Sequence, residues 1–319
     1  MRLGLYFDLR NPPPWARPWP DLYARSLDVI AEAERLGAGA IWVTEHHLFE
    51  DGYLPQPLTF LAAVAARTNR VRIGTAVLIA ALRPAMQIAE DAAVVDVLSG
   101  GRLELGLGAG YRVPEYEAYG ADIVHRFSTT DARVREVRRL LDEGGVTPPP
   151  VQRPVPMWAG YMGPQGARRA GRLGVGLMSL DARLLDPYRD GLAEGGHDEA
   201  SARMAGVVSI LVADDPDAAW ERVAPHLAYQ VDSYRRYAVE GTGRPPPRPV
   251  DLERARAGGG VVPPLEVLTP ADAITRIRAR TVGLPVTDVW CWASIANMPD
   301  DLVDRHVELL CREVAPALA

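Results

Sequence analysis

Leu98-Ser99-Gly100-Gly101-Arg102-Leu103-Glu104-Leu105-Gly106-Leu107-Gly108-Ala109-Gly110-Tyr111 reads as the end of a helix, a glycine turn, a short buried strand and a glycine-rich exit. Gly100 suits the left-handed conformation that stops a helix. Leu103, Leu105 and Leu107 make the strand apolar, and Gly108 and Gly110 strip its C-terminal end of side-chain bulk. Something flat or charged can then approach the backbone. Upstream, Ala40 to Thr44 forms another strand that runs into Glu45-His46-His47. One strand end is open and another carries imidazoles, which points to a barrel with a site at one mouth.

Outward from this stretch, strand-like and helix-like segments alternate. The expected strands are Leu3 to Phe7, Ala40 to Thr44, Val71 to Val77, Leu103 to Leu107, Pro156 to Ala159, Gly176 to Met178, Gly206 to Val212 and Val286 to Trp292. Helices are expected between them, among them Asp21 to Leu36, Pro57 to Arg67, Thr129 to Leu141 and Asp217 to Val239. About eight strand–helix units in 319 residues match a closed (β/α)8 TIM barrel, of class α/β. The strands are continuous apolar runs, as parallel strands buried on both faces are. An open doubly wound sheet is the competitor, but no nucleotide fingerprint follows the first strand. The chain is therefore read as one domain, residues 1–319. An insertion at 241–264, rich in Pro, Gly and Arg, lies between the seventh and eighth units and is expected to serve as a lid.

Bulk composition narrows the function. Hydrophobic residues make up 48% and charged residues 24%, ordinary for a soluble globular chain. Net charge is −6, so no basic field for nucleic acid is expected. Every basic residue is arginine, which excludes a lysine Schiff base. Cys291 and Cys311 are too few for a disulfide framework or a zinc site. No apolar signal segment precedes the first strand and no apolar run spans a bilayer, so a cytoplasmic location without membrane partners is expected.

Three segments carry candidate chemistry. Adjacent residues of a strand face opposite ways. His46 and His47 therefore do not share one metal ion unless the chain turns sharply between them, and no metal site is expected. An imidazole at a strand end serves instead as a proton donor or acceptor near neutrality. Gly160-Tyr161-Met162-Gly163-Pro164 leads from a strand into a helix, whose free amides make an anion site. Arg168 and Arg169 either help hold that anion or face solvent. Ala76 to Arg83 runs off the third strand with small residues at Ala80 and Ala81, which lets a flat ring lie on the backbone. Loop histidines, a plain helix start and core packing explain the same residues equally well, and Trp158, Trp290 and Trp292 read first as core.

Taken together, these segments resemble the bacterial luciferase-like family of flavin-dependent oxidoreductases. The resemblance lies in Thr44-Glu45-His46-His47, in Ser99 to Tyr111 and in Arg168-Arg169-Ala170-Gly171-Arg172-Leu173-Gly174. It continues in Leu268-Thr269-Pro270-Ala271-Asp272, Asp288-Val289-Trp290 and Glu313-Val314-Ala315-Pro316. It implies a two-component monooxygenase in which a separate flavin reductase supplies reduced FMN. That FMN reacts with O2 to a flavin hydroperoxide, which oxidises a small apolar or aromatic molecule. His46 matches the catalytic histidine, with Glu45 and His47 supporting it. The implied cofactor contacts are Phe7, Ala76, Ala80, Ala81, Gly108, Tyr111, Gly160, Tyr161, Met162 and Gly163. The family's non-proline cis peptide would fall near Ala80-Ala81, and Gly160 to Gly163 would meet the flavin phosphate. Relatives are commonly homodimers, here through about Pro57 to Leu98. The chain departs from the pattern at Ala109, where many relatives have Arg, and at Tyr161 and Met162, where many have Ser. These departures leave backbone amides as the anchors. They also keep open a non-catalytic flavin-binding accessory barrel, and the Gly160-Tyr161-Met162-Gly163-Pro164 form resembles the branch that uses F420 for hydride transfer.

Overall fold

The computed structural model describes residues 1–252, 254 and 265–318. The barrel strands are β1 (Arg2–Phe7), β2 (Ala40–Val43), β3 (Arg72–Thr75), β4 (Leu103–Gly108), β5 (Met157–Ala159), β6 (Gly176–Met178), β7 (Met204–Val207) and β8 (Val286–Trp292). Their spatial order is β3-β2-β1-β8-β7-β6-β5-β4, every pairing is parallel, and Ile73 opposite Leu103 closes the ring. The helices that bear on the site are α1 (Trp19–Leu36), α2 (Pro57–Arg67), α3 (Ala85–Ser99), α4 (Val113–Ala118), α5 (Arg126–Asp142), α6 (Gly163–Arg172), α7 (Leu185–Glu194), α8 (Pro216–Val239), α9 (Pro270–Thr281) and α10 (Asp300–Leu309). Gly37 and Gly100 cap α1 and α3 at φ +106° and +64°, the turn the opening stretch foretells.

Two expected strands are shorter than the sequence suggests. β3 ends at Thr75, and the following Ala76–Val77 peptide is cis. The run Gly206 to Val212 divides: the barrel strand stops at Val207, and Ile210–Val212 pairs outside the barrel with Glu266–Leu268. Both halves are apolar and no Gly or Pro marks the break, so the run reads as one strand. Of the expected lid, residues 253 and 255–264 lie outside the described residues.

Strand alternation sorts the side chains into an outer layer and an interior. Leu3, Leu5 and Phe7 face the helices, whereas Tyr6 packs inward with Trp42, Trp158 and Trp290. The N-terminal end of the interior is closed by ion pairs. Arg2 holds Asp288 through two bonds of 2.6 and 2.7 Å and reaches Glu104 at 3.1 Å, while Arg72 meets Glu104 at 2.9 Å. Trp158 Nε1 donates to Glu104 at 2.8 Å. Above this plug lies the tryptophan layer, with Trp42 and Trp290 ring centroids 4.6 Å apart. Room for it comes from glycine: a Cβ on Gly74 would stand 2.6 Å from the Trp42 ring. With one end filled, chemistry is confined to the C-terminal mouth.

Candidate active site

β2 delivers His46 and His47 to the mouth on opposite sides. His46 N–H donates to Leu54 O at 3.2 Å, which folds the following loop back over the strand end. The His46 side chain is buried, and its Nδ1 lies 2.8 Å from Glu115 Oε1. Glu115 is fully buried in the first turn of α4. Burial opposes its ionisation, but the His46 bond and charge, the His47 N–H (2.9 Å) and the neighbouring Arg112 guanidinium outweigh it. Together they hold its carboxyl below the usual range. An ionised carboxylate only accepts, so Nδ1 of His46 carries a proton, and Nε2 is the acceptor whenever the imidazole is neutral. This is the arrangement of a carboxylate-oriented general base.

His47 turns away to a second cluster. Its Nε2 lies 2.6 Å from Glu45 Oε1, which also accepts from Arg83 Nη1 at 2.6 Å. Glu45 Oε2 accepts the N–H of Ile79 at 2.8 Å. Glu45 and His47 therefore pin the chain beyond β3 to the end of β2. The expectation that their side chains orient His46 is corrected: Glu115 does so, and His47 contributes only its backbone N–H. Sequence reasoning missed Glu115. The available signal was a carboxylate in a helical first turn, with Pro114 beside it, directly after the glycine-rich exit of β4.

Aromatic rings pack around His46. Phe49 lies at 4.9 Å and 30° to the imidazole, while Tyr53, Tyr111 and Tyr234 present themselves edge-on at 4.8, 5.3 and 6.2 Å. The Tyr53 and Tyr234 hydroxyls share a 2.6 Å hydrogen bond, and the Tyr111 hydroxyl stands 3.4 Å from His46 Nε2. Two buried arginines brace this wall. Arg10 pairs with Asp51 at 2.7 Å. Arg112 lies between the Phe49 and Tyr237 rings, 4.6 Å from each, and bonds His47 O and Glu240. Asp8, also buried, has no ion pair among the described residues, and burial pushes its carboxyl up to about 6.

At the same mouth the strand ends form a half-buried shelf of Tyr6, Ala76, Met178 and Trp292, with Tyr6 and Trp292 centroids 4.4 Å apart and the Tyr6 hydroxyl donating to Ala76 O. Val77 rises between the glycine exits: a Cβ on Gly108 or Gly160 would come within 2.4 or 2.5 Å of its methyl groups. These glycines are thus required by Val77, and both strand ends stay low around it.

Beyond them, α6 starts at Gly163 with no side-chain cap. Among the described residues no side chain caps the N–H groups of its first turn, Gly163 and Gln165, and a Cβ at Gly163 would meet nothing within 4 Å. A flat ring on the aromatic shelf and a phosphate at this helix start fit the residues present, so a flavin-type cofactor is compatible with the mouth.

Other expected contacts fall elsewhere. Phe7 lies in the outer core, because alternation places Tyr6 inside. Ala80 and Ala81 are buried in the turn Ala80–Leu82, and the cis peptide is at Ala76–Val77 rather than near Ala80-Ala81. Tyr161 points inward and donates to Asp131 at 2.7 Å, whereas Met162 is exposed. Arg168 and Arg169 pair with Asp190 and Asp131.

A parallel barrel with a carboxylate-held histidine above an aromatic shelf is the frame of a cofactor-using oxidoreductase. The chain belongs to the luciferase-like monooxygenase family, whose profile matches residues 1–262. It is similar to the F420-dependent glucose-6-phosphate dehydrogenase of Amycolatopsis mediterranei (strain U-32), 31% identical over 198 residues, 55% of this chain and 59% of that protein. In fold it resembles the monooxygenase RslO1 from Streptomyces bottropensis over 100% of both chains, with TM-score 0.81 and 24% identity. It also resembles the oxygenating constituent of 3,6-diketocamphane monooxygenase, from the CAM plasmid of Pseudomonas putida, in complex with FMN. There the TM-score is 0.74 and the identity 18%, over 99% of this chain and 98% of that one. Monooxygenases and F420-dependent enzymes thus both stand among its relatives.

Proposed function

We propose that the protein is the oxygenase of a two-component monooxygenase. A separate reductase delivers reduced FMN, and a small aromatic molecule is oxidised with O2. The observation that carries this reading is the Glu115–His46 pair at the barrel mouth, with the imidazole set among aromatic rings. Reduced FMN, when bound, supplies the electrons that activate O2. Tyr6, Ala76, Met178 and Trp292 would carry its ring, and the N–H groups of Gly163 and Gln165 its phosphate. His46 takes or gives a proton at Nε2. Glu115 fixes the tautomer and balances the charge when the imidazole is protonated. Phe49, Tyr53 and Tyr234 keep water from the reacting atoms.

The test is anaerobic fluorescence titration of the protein with FMN, reduced FMN and F420, followed by admission of oxygen. Tighter binding of reduced FMN than of the other two supports the reading. Preferential binding of F420 would replace it with hydride transfer, the activity the dehydrogenase relative suggests. Binding of none would favour an accessory barrel. A homodimer through α2 and α3 is part of the proposal. It is supported by Met86, Val94, Val97 and Leu98, which expose 41–54% of their surface on α3. Light scattering that gives a monomer mass at micromolar concentration would remove it.

A further inference from the structure

Nε2 of His46 is left nearly unused by the fold. Its partner is the Tyr111 hydroxyl at 3.4 Å, long for an O–H···N bond. A phenol therefore already stands at the base. Tyr111 is 41% exposed at the rim, so its ring can give way to a similar group. The Tyr53 and Tyr234 hydroxyls share one hydrogen bond, and Tyr53 also bonds Thr44, so this side of the wall is polar at its hydroxyls and apolar along its rings. Both cations at this wall hold carboxylates, Arg10 holding Asp51 and Arg112 holding Glu115 and Glu240, although Arg10 Nη1 and Arg112 Nε have no partner among the described residues. Asp8, Asp51 and Glu115 surround these two guanidinium groups with carboxylates, which disfavours a phosphate or carboxylate ligand.

We propose that this site takes a flat hydroxylated aromatic substrate, a phenol or naphthol, whose hydroxyl sits on His46 Nε2 where Tyr111 stands in the structure. The inference rests on the acid–base role given to His46 above. The step is a proton transfer. The substrate O–H bond breaks and an Nε2–H bond forms. The resulting phenolate and imidazolium are neutral as a pair, with Glu115 on Nδ1–H. A ring made electron-rich in this way is prepared for attack by an electrophilic oxygen.

The probe is 7-hydroxycoumarin, whose absorption moves to longer wavelength when its hydroxyl ionises. It is titrated into the cofactor-free protein at a pH where the free probe is neutral. The bound probe is expected to show the anion's spectrum, and 7-methoxycoumarin to bind at least about 10-fold more weakly, the scale of a hydrogen bond to a charged group. His46→Gln should bind the probe in its neutral form, and Tyr111→Phe should still ionise it. The proposal is overturned if the bound probe stays neutral, if the probe fails to bind at millimolar concentration, or if the methyl ether or glucose 6-phosphate binds as tightly. It is also overturned if Tyr111→Phe abolishes ionisation, because the proton would then pass through Tyr111. No flavin is present, so failure here is separable from failure to bind reduced FMN.

Discussion

Glu115→Gln isolates the charge that holds His46. The side chain keeps its size, but Oε1 now offers a neutral acceptor to His46 Nδ1–H (2.8 Å) and His47 N–H (2.9 Å). A hydrogen bond to a charged group contributes about 1.5–3 kcal/mol and a neutral one about 0.5–1.5. The protonated imidazole therefore loses about 1–2 kcal/mol of support, a factor of roughly 5–30 in proton uptake at Nε2. If the amide turns over, its NH2 meets both donors and the His46 proton is driven to Nε2, the wrong nitrogen for a base. Turnover should then fall by about 10²-fold or more, the scale of a lost general base. Arg112, fully buried, keeps only Glu240 as a carboxylate partner among the described residues, and removing one member of a buried ion pair costs about 3–5 kcal/mol. The assay is oxygen uptake with reduced FMN and an aromatic substrate between pH 5 and 9, beside urea denaturation and FMN titration. Reduced-FMN affinity should stay within about twofold, since Glu115 does not touch the shelf. Wild-type turnover with an unmoved pH profile in a folded Glu115→Gln protein would refute the pairing as the source of catalysis.

Other parts of the molecule make sharper structural claims. Gly74→Ala places a Cβ 2.6 Å from the Trp42 ring and 2.9 Å from Glu104 O, so it should destabilise the barrel by about 1–3 kcal/mol in urea unfolding. Trp292→Ala should weaken reduced-FMN binding at least about tenfold, whereas Phe7→Leu should leave it within about twofold. Equal effects would mean that the inner and outer layers of the barrel wall are wrongly assigned. His306 is held neutral: burial lowers its pKa to about 4, and Nδ1 accepts the Val212 N–H at 2.8 Å. The unfolded chain therefore binds the extra proton first. The stability from His306 is complete above about pH 6.5 and is lost as pH falls toward 4, on the order of 3 kcal/mol in all. Asp8, raised to about 6, acts with the opposite sign: its contribution is complete below about pH 4 and fades as pH rises through 6. Comparing urea midpoints of wild type and His306→Phe from pH 4 to 7 separates the two. An unchanged slope in the variant would show that His306 is not the group responsible.

The barrel was legible in the sequence because its signals are local. An apolar run, a glycine stop and a helix of known period each sit within a dozen residues. Gly100 and Gly37 announce the helix ends that the structure shows at positive φ. The division of Gly206 to Val212 was not legible. Both pieces are buried and apolar, and the choice between staying in the barrel and pairing with Glu266–Leu268 is made by a partner more than fifty positions away. Phe7 was misplaced for a related reason. Its apolarity says that it is buried, but only the alternation of the closed barrel says on which side.

The site shows the same limit at its centre. His46 could be found because imidazoles at a strand end are rare and conspicuous. Its partner could not, because Glu115 lies 69 positions further along the chain, on a short helix that becomes meaningful only once β2 and β4 are brought to one mouth. The nearby carboxylate, Glu45, is the one that sequence adjacency favours, and the structure gives it to Arg83, His47 and Ile79 instead. Two carboxylates beside two histidines thus divide by geometry: one pair fastens the loop that follows β3, and the other sets a base. A double exchange tests the division. Glu45→Gln should cost stability by freeing buried Arg83, about 3–5 kcal/mol, while leaving the spectrum of bound hydroxycoumarin that of the anion. Glu115→Gln should return the bound probe to its neutral form. If Glu45→Gln alone abolished ionisation of the probe, the proton would be governed from the other cluster, and the assignment of roles between Glu45 and Glu115 would have to be reversed.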